Sequence, residues 1–204
     1  MKIAIINIGI GNIASIKNML QKIGHSCELL NSPDNTIYDW IILPGVGAFD
    51  NGIEKLHRSG WFSYLKTSET ISEKRTSLLG ICLGMQLLTQ GSEEGSSEGL
   101  NLIPGFFKKF NFHSQELKVP HMGWNEVEFK SPLDKLNNTD FGLSRFYFVH
   151  SYYYDYENTS YELGSTIYGT KFISSIRNSN IYGVQFHPEK SHSYGFSFFK
   201  ELLK

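Results

Sequence analysis

The chain has 204 residues, 40% of them hydrophobic, two cysteines and a formal net charge of -1 at pH 7. That length and apolar content suit one domain, residues 1–204, with a substantial core, and the near-zero charge gives no long-range pull toward nucleic acid or an anionic membrane. Cys27 and Cys82 form no Cys-x-x-Cys pair, so a disulfide framework and a thiolate zinc site are both disfavoured and a reducing, cytoplasmic setting is expected.

The first element is Lys2 to Ile6, a continuous apolar run of the kind expected of a parallel strand covered on both faces. Asn7 and Gly9 interrupt it and no small-residue cleavage pattern follows, so it reads as a buried strand and not as a signal peptide. No stretch approaches the roughly 18 apolar residues of a membrane span. Gly9 and Gly11 make a turn, and Asn12 caps a helix whose Ile13, Ile16, Leu20 and Ile23 recur at helical spacing. Strands are predicted over Ser26 to Leu30 and over Tyr38 to Leu43, the latter ending at Pro44. The next strand is the apolar run Ser77 to Ile81. The stretch Ser92 to Gly99, with Glu93, Glu94 and Glu98, reads as a solvated polar loop. From Phe106 onward short β-like runs follow: Phe106 to Phe110, Trp124 to Phe129, Arg145 to Val149, Tyr161 to Tyr168, Phe172 to Ile176 and Ile181 to Phe186. A last helix spans Tyr194 to Leu203, with Phe196, Phe199 and Leu203 on one face. The order implies an α/β fold: an open, mostly parallel sheet flanked by helices, with added antiparallel strands and its chemistry at the carboxyl ends of the parallel strands.

Two motifs carry the chemistry. Gly80-Ile81-Cys82-Leu83-Gly84 joins a strand to the helical run Met85 to Leu88 and puts a thiol at the apex of the turn. It is the cysteine counterpart of a nucleophile elbow, in which flanking glycines relieve clashes at a strained turn. Amide groups at the helix start favour a thiolate, and a neighbouring imidazole is the usual means of forming one. His187 follows the last β-like run, Pro188 stops the ladder, and Glu189 is close enough to accept a proton from the same imidazole. A lone cysteine among leucines is usually a buried small hydrophobe and a lone histidine usually structural. Both motifs together are far rarer than either, which favours catalysis by Cys82, His187 and Glu189. The turn Pro44-Gly45-Val46-Gly47 allows a peptide to reorient at little steric cost, although on composition alone it reads equally as an ordinary tight turn.

These residues resemble the class I, triad-type glutamine amidotransferases, a flavodoxin-like fold, and within them the glutaminase subunits of imidazole glycerol phosphate synthases. The narrower likeness rests on Leu43-Pro44-Gly45-Val46-Gly47-Ala48-Phe49 and Lys118-Val119-Pro120-His121-Met122-Gly123-Trp124-Asn125. Ser92-Glu93-Glu94-Gly95, Tyr147-Phe148-Val149-His150-Ser151-Tyr152-Tyr153 and Gly183-Val184-Gln185-Phe186-His187-Pro188-Glu189-Lys190-Ser191 extend it along essentially the whole chain. Relatives often carry an Asp-Tyr-Gly type turn where this chain has Asn7 to Asn12. The resemblance implies glutamine hydrolysis through a thioester on Cys82. It implies oxyanion donors at Leu83 and on the Val46–Gly47 turn, and contacts to glutamine from Gly45, Gln86, Ser151 and Tyr152. By themselves Gln86 reads as a helix-surface residue and Tyr152 as a half-buried strand aromatic. It further implies a heterodimer with a cyclase subunit, a (β/α)₈ barrel, which takes the ammonia to form imidazole glycerol phosphate and an aminoimidazole carboxamide ribonucleotide in histidine biosynthesis. Asn12, Met122, Trp124, Tyr147 and Lys190 match interface positions, their bland readings being a helix cap, two apolar packers, a strand aromatic and a solvated lysine. No metal or organic cofactor is indicated: His25, His57, His113, His121, His150 and His192 lack ligand spacing, though His150 adjoins Ser151.

Three rival readings stand beside this one. The same glutaminase chemistry can feed a paralogous sugar amidotransferase for surface polysaccharides. A cysteine peptidase can share the elbow, and a binding module can keep the fold without the activity.

Overall fold

The computed structural model describes residues 1–112, 117–137, 142–156 and 159–204. In chain order the elements are β1 (Ile3–Ile6), α1 (Ile13–Lys22), β2 (Cys27–Leu30), β3 (Trp40–Gly45), α2 (Phe49–Arg58), α3 (Trp61–Thr67), α4 (Glu69–Ser72), β4 (Ser77–Cys82) and α5 (Leu83–Leu87). There follow β5 (Gly91–Ser92), β6 (Phe106–Lys109), β7 (His121–Phe129), β8 (Ser144–His150), β9 (Tyr152–Asp155), β10 (Glu162–Tyr168), β11 (Thr170–Asn178), β12 (Ile181–Val184) and α6 (His192–Leu202). The main path of the twelve-stranded sheet runs β2-β1-β3-β4-β12-β11-β10-β7-β8, while β6 pairs with β5 and β9, and β9 with β11. β2, β1, β3, β4 and β12 are mutually parallel, and β11, β10, β7 and β8 continue the sheet antiparallel. The α/β class is therefore as expected, but the antiparallel extension is larger than the five-stranded parallel part.

Alternation along the parallel strands builds two cores. Ile3 and Ile5 of β1, Trp40 and Ile42 of β3, and Leu79 and Ile81 of β4 join a cluster with Ile16 and Leu20 of α1 and Phe198 and Phe199 of α6. Their neighbours Ala4, Ile6, Ile41, Leu43 and Leu78 join the opposite cluster with Phe49, Ile53 and Leu56 of α2 and Trp61 of α3. A period of two with helices on both faces makes each strand a continuous apolar run, and each large side chain so buried contributes about 1.5–3 kcal/mol.

Several points differ from the sequence reading. Helices α2, α3 and α4 connect β3 to β4, where no helix was expected. Parallel neighbours require a crossover, and the buried Phe49, Gly52, Ile53 and Leu56 show the i, i+3, i+4, i+7 spacing that marks its helix. β3 runs through Pro44 to Gly45, because its pairing with β1 already ends at Ile42 and a residue without an N–H is tolerated beyond it. In α6 the core face is Gly195, Phe198, Phe199 and Leu202, and Phe196 is only partly buried. The Ser92 to Gly99 stretch is likewise not a merely solvated loop. Glu94 accepts from Phe49 N–H at 3.0 Å, and Asp50 accepts from the N–H groups of Ser96 and Ser97, which ties this segment to the start of α2. Among the described residues no helix is long and apolar enough to cross a membrane.

Candidate active site

The parallel register sets Gly45 opposite Cys82 and Val184 opposite Ile81, so the carboxyl ends of β3, β4 and β12 meet at one edge. Cys82 ends β4 with φ 54° and ψ -111°. This conformation is costly for a residue with a side chain, and strain of this kind concentrates at functional sites. The glycines around it are steric necessities. A Cβ on Gly84 would stand 1.9 Å from Leu43 O, and one on Gly80 would stand 2.6 Å from Gly84 O. α5 can therefore leave β4 only across bare backbone, which lifts Cys82 into a cavity of about 300 Å³.

His187 reaches that cavity from beyond β12. Its backbone N–H donates to Tyr147 O at 2.8 Å and its carbonyl accepts from Ser191 Oγ at 2.6 Å, so both neighbours hold the residue in place. Pro188 opens a single 3-10 turn that returns Glu189 to the ring. Nδ1 of His187 and Oε1 of Glu189 are 2.8 Å apart, with the two side chains only 1% and 2% exposed. Nε2 is buried without a hydrogen-bond partner in good geometry among the described residues. Burial opposes the charged ring, but the Cys82 sulfur and then the Glu189 carboxylate outweigh it and hold the His187 pKa up at about 10. The three residues thus form one electrostatic unit: a sulfur, an imidazole beside it, and a carboxylate behind the imidazole.

The sulfur has a further contact that sequence reading missed. Gln185 Nε2 lies 3.6 Å from Cys82 Sγ, and Gln185 Oε1 accepts from Gln86 Nε2 at 3.3 Å. Gln185 alternates with the core residues Val184 and Phe186 at the end of β12, so a polar residue within an apolar run was the available signal. Gln86 is buried and not on the helix surface, and its Oε1 has no partner among the described residues.

Val46, Gly47, Leu83, Gln86, Ser151 and Tyr152 line the cavity with Cys82 and His187. Gly45 does not line it. A Cβ there would meet Gly84 N at 2.7 Å, so this position packs the turn against the elbow. Glu94 and His150 line the wall as well; both lie in stretches that carry the family resemblance, but neither was given a role there. Val46 N–H donates to Ile10 O at 2.5 Å, while Gly47 has φ +104°, open to glycine alone without strain. The Val46 amide is thus directed at the β1–α1 turn in this conformation.

Of the surface residues, Met122 and Trp124 project from β7 with 61% and 41% exposure. Tyr147 pairs with Trp124 across β8, and Lys190 Nζ lies 5.8 Å from the Tyr147 ring. Asn12 caps α1 by accepting from Ser15 N–H at 3.4 Å. Among the described residues no group of three or more His, Cys, Asp or Glu could hold a metal ion; His113 lies outside them.

The model of the class-I glutamine amidotransferase family matches residues 4–202. The chain belongs to that family. It is 46% identical over 203 residues to the imidazole glycerol phosphate synthase subunit HisH 2 of Methanococcus maripaludis, covering 99% of this chain and 98% of that one. It is 41% identical to subunit HisH 2 of Pseudomonas aeruginosa, covering 99% and 98%. A solved glutamine amidotransferase superposes with a TM-score of 0.75 at 14% identity, covering 99% of both chains, which bears on the fold alone.

Proposed function

We propose that this amidotransferase domain, spanning residues 1–204, is the glutaminase subunit of an imidazole glycerol phosphate synthase. The single observation that carries the chemistry is the buried 2.8 Å contact between His187 and Glu189 beside a strained Cys82. In this reading Cys82 Sγ attacks the carboxamide carbon of glutamine and the C–N bond breaks. The His187 imidazolium gives its proton to the departing amine, ammonia leaves, and a thioester remains. Water, deprotonated by the same ring, then cleaves the thioester to glutamate and restores the sulfur. Glu189 keeps the ring oriented and supports its positive form.

The oxyanion of each tetrahedral intermediate needs donors. Leu83 N–H, at the residue after the nucleophile, is one. The other comes from the Val46–Gly47 turn after the Val46 peptide releases Ile10 O and rotates. A missing donor costs on the order of 10²-fold or more in rate, so that rotation is a switch. Gln86 Oε1 and the Glu94 carboxylate suit the α-ammonium of glutamine, and Ser151 and Tyr152 frame its other end.

Support for the partner comes from the HisH relatives and from the exposed Met122–Trp124 patch next to Tyr147 and Lys190. The partner in this reading is a cytoplasmic cyclase subunit with a (β/α)₈ barrel, and Asn12 lies at the same interface. It consumes ammonia before bulk water protonates it, yielding imidazole glycerol phosphate and aminoimidazole carboxamide ribonucleotide.

The test is the complex reconstituted with the cyclase. Cys82→Ala is expected to abolish glutamine-dependent synthesis while ammonia-dependent synthesis survives, and the wild-type glutaminase rate is expected to rise when the cyclase ligand is added. Wild-type turnover equally fast without the cyclase would end the switch. Synthesis with a sugar acceptor in place of the cyclase substrate would transfer the chain to the paralogous pathway.

A further inference from the structure

We propose that His121 and His150 form a pair of neutral positioning residues that hold the Ser151–Tyr152 wall of the glutamine cavity from behind. The proposal rests on the glutaminase reading and assigns a task to two buried histidines that the triad chemistry does not use.

The hydrogen bonds determine the tautomers. His150 Nδ1 lies 2.7 Å from Tyr152 O, and a carbonyl only accepts, so Nδ1 carries the proton. His150 Nε2 is then an acceptor, 3.0 Å from His121 Nδ1, which must donate. His121 Nε2 accepts in turn from Asn125 Nδ2 at 3.2 Å, and the same amide donates to Ile167 O at 2.9 Å. A charged ring at either position would place two protons face to face in this chain. Burial agrees: the residues are 3% and 5% exposed, and desolvation lowers His121 to about 4 and His150 to about 3.

The chain crosses the sheet from β10 through β7 and β8 to the start of β9, and each ring is clamped by aromatic neighbours. His121 stacks on Tyr168 at 4.0 Å and on Phe148 at 4.7 Å. At its far end Tyr152 O is taken by His150 and Ser151 O by Phe110 N–H at 3.0 Å. Both carbonyls of this step are therefore engaged from behind, while the step itself and His150 border the cavity that holds Cys82. A residue pair at a strand start with both carbonyls fixed has little freedom to rotate, and a binding wall gains affinity when it is ordered before the ligand arrives. The neutral state also matters, because a positive His150 would oppose the imidazolium of His187, which already acts on it electrostatically.

His121→Phe keeps the ring packing and removes both hydrogen bonds. It is expected to raise KM for glutamine about tenfold while kcat changes less than about threefold. His121→Asn, whose amide can take the place of Nδ1–H, is expected to recover much of that loss. Alkylation at Cys82 supplies a second readout, needed if the Phe variant fails to fold. With Asn125→Ala, the glutamine-shaped electrophile 6-diazo-5-oxonorleucine is expected to react several-fold more slowly, and iodoacetamide at the wild-type rate. An unchanged KM in folded His121→Phe, or equal slowing of both reagents, would overturn the positioning role. Absence of glutamine turnover by the wild-type complex would instead overturn the glutaminase reading itself.

Discussion

At the scale of single residues, the pair His187–Glu189 ties activity to stability. The folded His187 pKa, about 10, lies above its ordinary 6.5, so the folded state binds a proton that the unfolded chain releases in that window. The resulting stabilisation is complete below about pH 6.5 and is lost as pH rises toward 10. The stability difference between wild type and His187→Gln, from urea unfolding, is therefore expected to be larger at pH 6 than at pH 10 by on the order of 2 kcal/mol. A difference that does not vary with pH would show that Cys82 and Glu189 do not hold a proton on this ring. The meeting of Cys82, His187 and Glu189 was legible in the sequence because an elbow and a His-Pro-Glu turn are local in the chain. Gln185 was not, since nothing in the order of residues tells that its amide reaches a sulfur 103 positions away.

At the scale of elements, the strand-to-helix turn depends on close backbone approach between β3, β4 and α5. Gly84→Ala would push a methyl to 1.9 Å from Leu43 O, a main-chain atom of β3 that cannot swing aside as a side chain could. The expected cost is about 3 kcal/mol, read as a lower denaturant midpoint. An Ala variant as stable as wild type would mean that the elbow is looser than its geometry. The Val46–Gly47 turn behaves differently: a Cβ on Gly47 meets nothing, and only its positive φ demands glycine. The first turn is held by backbone packing, whereas the second leaves the room that the proposed rotation needs. Both readings were suggested by glycine spacing, but only the placement of Leu43, Ile10 and Gly84 separates a packing glycine such as Gly45 from a conformational one such as Gly47. The crossover helices α2 to α4 were missed because strand signals on either side drew the eye, although the apolar spacing of Phe49, Ile53 and Leu56 was present.

At the scale of the whole molecule, the sheet places an exposed patch beside the cavity on the same strands, with Met122 directly opposite Val149. β8 carries Tyr147 at the patch and Val149 and His150 at the cavity, and Tyr147 O accepts from His187 N–H. A partner seated on Trp124 and Tyr147 would thus press on the segment that holds the His187 imidazole. Trp124 stacks on His192 at 5.6 Å and is 41% exposed, the profile of an interface anchor. Trp124→Ala is expected to weaken cyclase binding about 30-fold by titration calorimetry, corresponding to about 2 kcal/mol, with little change in the melting temperature of the isolated chain. Unaltered affinity would move the interface elsewhere.

The α/β class, the parallel core and the grouping of Cys82, His187 and Glu189 are all legible in the order of residues, because each is written in a local pattern of spacing and turn residues. Only the packed fold separates Gly45, which a Cβ would drive into the elbow, from Gly47, which needs glycine for its positive φ, and only it shows where Val46 directs its amide. It also decided that two histidines 29 positions apart share a proton-ordered contact beneath the cavity. Those outcomes depend on strand register, and register is set by how both faces of the sheet are covered, which no short stretch of sequence specifies.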